Sequence, residues 1–94
     1  MTLSLLTPID GRKSFYGKAI VIEKNGNIVL KSYDTYVAVI TPDGVFHRTW
    51  DDWSSTTGRH VKAFAYWYHR GWKPNKSDWD SLQVEDFDDL QTGV

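Results

Sequence analysis

Residues 53–64 read WSSTTGRHVKAF, and the backbone they adopt decides the fold. A tryptophan leads into four hydroxyl residues, a glycine and a basic pair, and then an apolar run begins. The first N–H groups of a helix lack intrahelical partners, and Ser or Thr oxygens satisfy them, so this order of residues marks a helix start. With Thr57 as N-cap, His60 stands at the position where Glu or Gln would complete a capping box. From Arg59 onward, Val61, Phe64, Ala65 and Tyr68 recur at the spacing of one helical stripe, which must face a sheet. His60 and Trp67 flank that stripe, and Arg59, Lys62, Tyr66, His69 and Arg70 share the opposite side. Gly71 suits the position after the helix, and Pro74 shortly beyond it prevents continuation. The same hydroxyls, with the free N–H groups and Arg59, would also suit an anion. Capping carries more weight, because phosphate cradles generally use more glycine.

Upstream of this stretch the period is two. KAIVIEK and NIVLK flank Asn25-Gly26, and both turn residues tolerate the positive φ that a tight hairpin demands. YVAVI, Tyr36 to Ile40, is apolar on both faces and reads as a central strand. Thr41-Pro42-Asp43-Gly44 is a turn, so VFHRTW should return antiparallel. The expected architecture is α+β: an antiparallel three- to four-stranded meander with one amphipathic helix packed on one face and a short acidic C-terminal appendage. Residues 1–94 form one domain in this reading, with a sheet-plus-helix core over about 15–72 and an acidic, aromatic segment over 73–94. Ser77-Asp78-Trp79-Asp80 opens a short piece from which Trp79, Leu82 and Val84 pack back on the body. From about Glu85 the composition reads as loosely held.

Composition narrows the function classes. In 94 residues there are five Trp and five Tyr but no Cys, so rings supply much of the core, while disulfides, thiolate metal sites and cysteine nucleophiles are excluded. The absence of disulfides, of a signal-peptide h-region and of a long apolar run leads to the expectation of a cytoplasmic protein without a membrane span. His47, His60 and His69 lack metal-ligand spacing, no serine sits in a nucleophile elbow, and no glycine-rich phosphate loop occurs. The expectation is therefore a non-enzyme with no cofactor and no metal.

Net charge is −1, yet all eleven Lys and Arg lie within residues 1–76 beside six acids, leaving +5 there and −6 beyond. Such asymmetry marks interaction surfaces, or a tail that lies against its own body. Two binding surfaces follow. Trp72 and Trp79 with Asp78, Asp80, Glu85, Asp86, Asp88 and Asp89 form an acidic aromatic segment suited to a basic groove on a protein. Arg59, Lys62, Tyr66 and Arg70 form a basic helix face suited to nucleic acid.

The SYDTYVAVI strand and the SSTTGRH helix start together resemble a small family of proteins encoded mainly by bacteriophages and prophages, with the pattern S-Y-x-T-x-V-A followed by S-x-T-T-x-x-H. The match runs over about residues 32–68 and includes Ser32, Tyr33, Thr35, Val37, Ala38, Thr56, Thr57 and His60. The resemblance implies phage provenance and a sheet-plus-helix core, and attaches no activity to any residue. It also implies that the two halves of the pattern touch, for instance through a Tyr or Thr hydroxyl bonding the His60 imidazole. The functional expectation is a phage accessory protein that binds a host protein, a nuclease or nucleic-acid-binding complex, as an inhibitor of a defence system such as CRISPR. The alternative is a small nucleic-acid-binding module using the basic helix face.

Overall fold

The computed structural model describes residues 2–11 and 14–85. Five strands precede two helices: β1 (Thr2–Leu5), β2 (Ala19–Lys24), β3 (Asn27–Ser32), β4 (Thr35–Ile40), β5 (Phe46–Arg48), α1 (Ser55–Tyr68) and α2 (Lys76–Asp80). The strands form one antiparallel sheet in sequence order. The fold is α+β, with five strands where the sequence pointed to three or four. The added strand is β1, whose TLSL stretch is exposed along its whole length. Its pairing with β2 is across residues 6–18, so no local turn announces it.

The β2–β3 turn is formed by Asn25 and Gly26, both with positive φ, at 55° and 83°, the geometry whose twist matches paired strands. The β3–β4 connection is also two residues, Tyr33-Asp34, and Tyr33 carries a φ of 54°. The register between these strands shifts after Leu30, which pairs with Ala38 while Lys31 pairs with Tyr36. Val37 is thereby accommodated as an extra residue, and its carbonyl accepts from the Thr49 N–H.

Alternation along the strands sends Ala19, Val21, Leu30, Ala38 and Ile40 toward the helix side, where they bury with Val61, Phe64 and Ala65 of α1. The opposite face gathers Ile22, Val29 and Val39 with Ile20 and Tyr36 in a smaller cluster. Tyr68, placed by periodicity on the buried stripe, is exposed and stacks on Phe64 at 5.6 Å. It lies in the last turn of α1. The helix also starts earlier than expected. Ser54 is the N-cap and its hydroxyl oxygen accepts from the Thr57 N–H at 3.0 Å, so Thr57 lies inside the helix and is buried. The Trp53 ring packs over this first stretch of helix, so close to Gly58 that an added Cβ would stand 2.6 Å from it.

The segment beyond α1 closes one end of the core. Trp79, delivered by α2, has no exposed surface. Its indole N–H donates to the Asp52 carbonyl at 2.9 Å, and the Arg48 guanidinium lies 5.0 Å from its ring. Arg48 is buried and donates to the carbonyls of Trp50, Trp79 and Leu82. A buried cation is costly unless its donors are met, and these three carbonyls meet them while tying the segment down. Val84 continues the contact by pairing parallel with Arg48. Among the described residues no helix is long and apolar enough to cross a membrane.

Candidate functional site

His60 occupies the second turn of α1, on the side that meets the end of β3. Its Nδ1 lies 2.7 Å from the Ser32 hydroxyl, and both residues are buried. The edge of Phe15 packs on the imidazole at 4.5 Å, and Tyr33 lies 6.0 Å away. The strand–helix contact implied by the resemblance is thus made by Ser32 and not by a Tyr or Thr hydroxyl. Ser32 alternates onto the helix side of β3, whereas Tyr33 has already entered the turn. Burial first, and then the Arg59 charge, lowers the His60 pKa from 6.5 to about 4. The imidazole is therefore neutral at pH 7.

Beside this pair opens a pocket of about 250 Å³. Its rim carries Ser14, Tyr16 and Lys18 from the turn before β2, Tyr33 from the β3–β4 turn, and Thr56 and Arg59 from the first turns of α1. Phe15 and His60 line its buried side. The segments are locked together: the Tyr33 N–H donates to the Lys18 carbonyl at 2.7 Å and the Lys18 N–H to the Phe15 carbonyl at 3.0 Å. The Lys18 ammonium stands 5.3 Å from the Tyr33 ring centroid. Tyr16 and Tyr33 have φ values of 55° and 54°, a left-handed conformation that a bulky side chain adopts at a cost of order 1 kcal/mol or more.

Arg59 links the pocket to the outer face of α1. Lys62 and Tyr66 follow it there, both exposed. The Lys73 ammonium lies 5.3 Å from the Tyr66 centroid, and Trp67, 53 % exposed, meets Tyr66 edge-on at 5.1 Å. Trp67 is held by its indole N–H, which donates to the Thr7 carbonyl at 2.9 Å. No acidic residue occurs between Ser55 and Tyr68, and the carboxylate of Asp10 stands 3.8 Å from Arg59. Of the four basic-face residues read from the sequence, Arg59, Lys62 and Tyr66 come together. Arg70 follows the C-cap residue His69 with a φ of 57° and lines a separate shallow groove with Val45, Phe46 and Trp72.

The acidic segment is placed differently from a free docking strip. Asp78 reciprocates with Asn75 in the α2 capping box, Asp80 pairs with Lys76 at 2.7 Å, and Glu85 meets His47 at 2.6 Å. Trp72 is half-buried, edge-on to Phe46 at 5.2 Å, and Trp79 is enclosed. Neither tryptophan offers to a basic groove on a partner the full ring that the reading of an acidic aromatic docking segment requires. It follows from Arg48 and Phe46, which draw both rings inward. Asp86, Asp88 and Asp89 lie outside the described residues. Lys18, Tyr16 and, as a pocket residue, Tyr33 were missed by sequence reasoning, as were Trp67 and Lys73 as parts of the binding surface. The one signal for the first three was Tyr16-Gly17 and Tyr33-Asp34 as turn dipeptides.

His47, His60 and His69 lie on different parts of the molecule, and among the described residues no three His, Asp or Glu side chains group as metal ligands would. The arrangement offers binding chemistry: cations, hydroxyls and ring faces around a small hollow, continued by a basic aromatic helix face.

These features define a small α+β protein with one antiparallel sheet and a basic, aromatic helix surface. Residues 4–81 match the model of a family of unknown function (DUF8033), and the chain belongs to that family. Comparisons with curated proteins and with solved structures return no match.

Proposed function

We propose that this protein is a nucleic-acid-binding module that holds a single strand along the outer face of α1. The observation that carries the reading is that Arg59 and Lys62 share the acid-free helix α1 with the exposed Tyr66 and Trp67 rings, and Lys73 beyond it rests against Tyr66. Cations neutralise phosphates without regard to sequence, and exposed rings stack on bases, each stack being worth about 1–3 kcal/mol. A duplex buries its base faces, so rings of this kind favour an unpaired strand.

Anisotropy titrations of a fluorescent oligothymidine and of a duplex of equal length, at 50 and 200 mM salt, test it. Three to four phosphate contacts give a log–log salt slope of roughly −2 to −3 for a single strand. Charge reversal at Lys62 or Lys73 should weaken the single strand about tenfold or more, and reversal at Arg70, beyond the face, should weaken it less. Binding that ignores salt and these substitutions would refute the reading.

The competing reading is capture of a host protein by the acidic segment, as a phage-encoded inhibitor of a defence system. Its support is the charge of −6 beyond residue 76. Deleting residues 86–94 leaves the described contacts in place and removes Asp86, Asp88 and Asp89. Loss of a specific protein partner on that deletion, with oligothymidine affinity unchanged, would favour capture over strand binding.

A further inference from the structure

The pocket at the start of α1 adjoins the outer helix face and shares Arg59 with it, and three features mark it as a receiving site. First, two cations from distant segments, Lys18 and Arg59, stand on its rim; among the described residues no acid lines it, and the carboxylate of Asp10 lies 3.8 Å from Arg59 just outside. Second, beside the His60 imidazole it is lined by the hydroxyls of Ser14, Tyr16, Tyr33 and Thr56, which donate to an anionic oxygen without needing a charge change. Third, Tyr16 and Tyr33, two of the four non-glycine residues with positive φ among the described residues, stand at its mouth, exposed by 81 % and 51 %. Strained conformations persist where surrounding structure holds them, and here they present two rings to solvent around a basic hollow. The Lys18 ammonium already rests against one of those rings. The volume of about 250 Å³ suits a phosphate with part of a sugar, and is small for a whole dinucleotide.

We propose that this pocket binds a terminal phosphomonoester, Lys18 and Arg59 neutralising its charge while a Tyr33 or Tyr16 ring stacks on the adjoining base. A phosphomonoester carries more charge than the diester links of a strand interior, so two convergent cations discriminate an end from the middle. The strand as ligand rests on the nucleic-acid reading above; the phosphate site itself does not. The same chemistry is offered by a strand end and by a free nucleoside monophosphate, and the experiment separates them.

Titrations are run with thymidine monophosphates bearing the phosphate at either the 5′ or the 3′ position, with inorganic phosphate, and with short oligothymidines carrying a 5′-phosphate, a 3′-phosphate or neither. Backbone NMR shifts of Tyr16, Lys18, Tyr33 and Thr56 report the pocket, and those of Lys62 and Tyr66 report the helix face. One terminal phosphate should tighten oligonucleotide binding roughly tenfold. Lys18→Gln and Arg59→Gln should each abolish that difference while thermal melts stay near wild type. Lys62→Gln should weaken phosphorylated and unphosphorylated strands by the same factor. Equal affinity for all ends, with no pocket shifts on adding a monophosphate, overturns the proposal and leaves strand binding standing. Monophosphate shifts in the pocket without any retention of oligonucleotides uphold the proposal for a free nucleotide and refute strand binding.

Discussion

Lowering the pH toward 4 should destabilise the fold through His60. The imidazole is 2 % exposed and its Nδ1 is bound to the Ser32 hydroxyl. Burial, with Arg59 nearby, holds its pKa at about 4 against an ordinary 6.5. As pH falls through 6.5 the unfolded chain takes up a proton on this ring, and the folded protein does not until about pH 4. Between those values the unfolded state binds more protons, so stability drops as pH drops. The gap is about 2.5 on the pH scale, at about 1.4 kcal/mol each, which sets an upper figure of about 3 kcal/mol. The contribution is present in full above about pH 7 and exhausted below about pH 4. Two measurements check this. The imidazole proton resonances of His60, followed by NMR, should show a midpoint near 4. Urea denaturation of wild type and His60→Gln at pH 7 and pH 4.5 should show a steeper acid loss for wild type, because carboxylates titrate in both and cancel. A midpoint near 6.5, or identical pH slopes in the two proteins, would refute the reasoning.

Gly58→Ala tests the packing of Trp53 against the start of α1. Helix propensity alone would gain about 1 kcal/mol, but the new Cβ would meet the Trp53 ring at 2.6 Å, and forced overpacking costs about 1–3 kcal/mol. The substitution should therefore destabilise wild type and stabilise a Trp53→Ala background, and the same sign in both would show that the ring does not limit residue 58. Trp79→Ala should cost about 3–5 kcal/mol in urea denaturation, since the side chain is wholly enclosed and holds Asp52 and Arg48 contacts. A loss under about 1 kcal/mol would mean that the C-terminal segment contributes little to the core.

Much of the scaffold was legible because its causes are local. Asn25-Gly26 permits a turn in which both residues have positive φ, and the alternating runs on either side fix which side chains share a face. Val61, Phe64 and Ala65 lie on one stripe of a helix whatever that helix packs against. The start of α1 was legible to within a turn. Four hydroxyls in a row each satisfy the chemistry of a cap, and the structure uses Ser54, with Trp53 lying over Gly58 in a contact no spacing rule reports. β1 escaped notice because an exposed edge strand has no buried alternation to betray it. Trp79 carried two readings, anchor or core residue, and Arg48 from a strand thirty-one residues earlier decided between them.

The site was less legible than the scaffold. The helix face was visible because Arg59, Lys62 and Tyr66 are close in sequence, yet Arg70 fell away once the chain left helical geometry, and Lys73 returned to take its place beside Tyr66. The pocket gathers residues from three separate turns, and nothing in Ser14, Tyr16 and Lys18 taken alone points to Thr56. By itself the sequence determined the periodicities, the hairpin and the kinds of chemistry the chain can offer, because backbone propensity and burial pattern act between near neighbours. Only the tertiary structure decided which rings are enclosed, where His60 finds its hydroxyl and which cations converge, because those depend on close approach between segments that the chain keeps far apart.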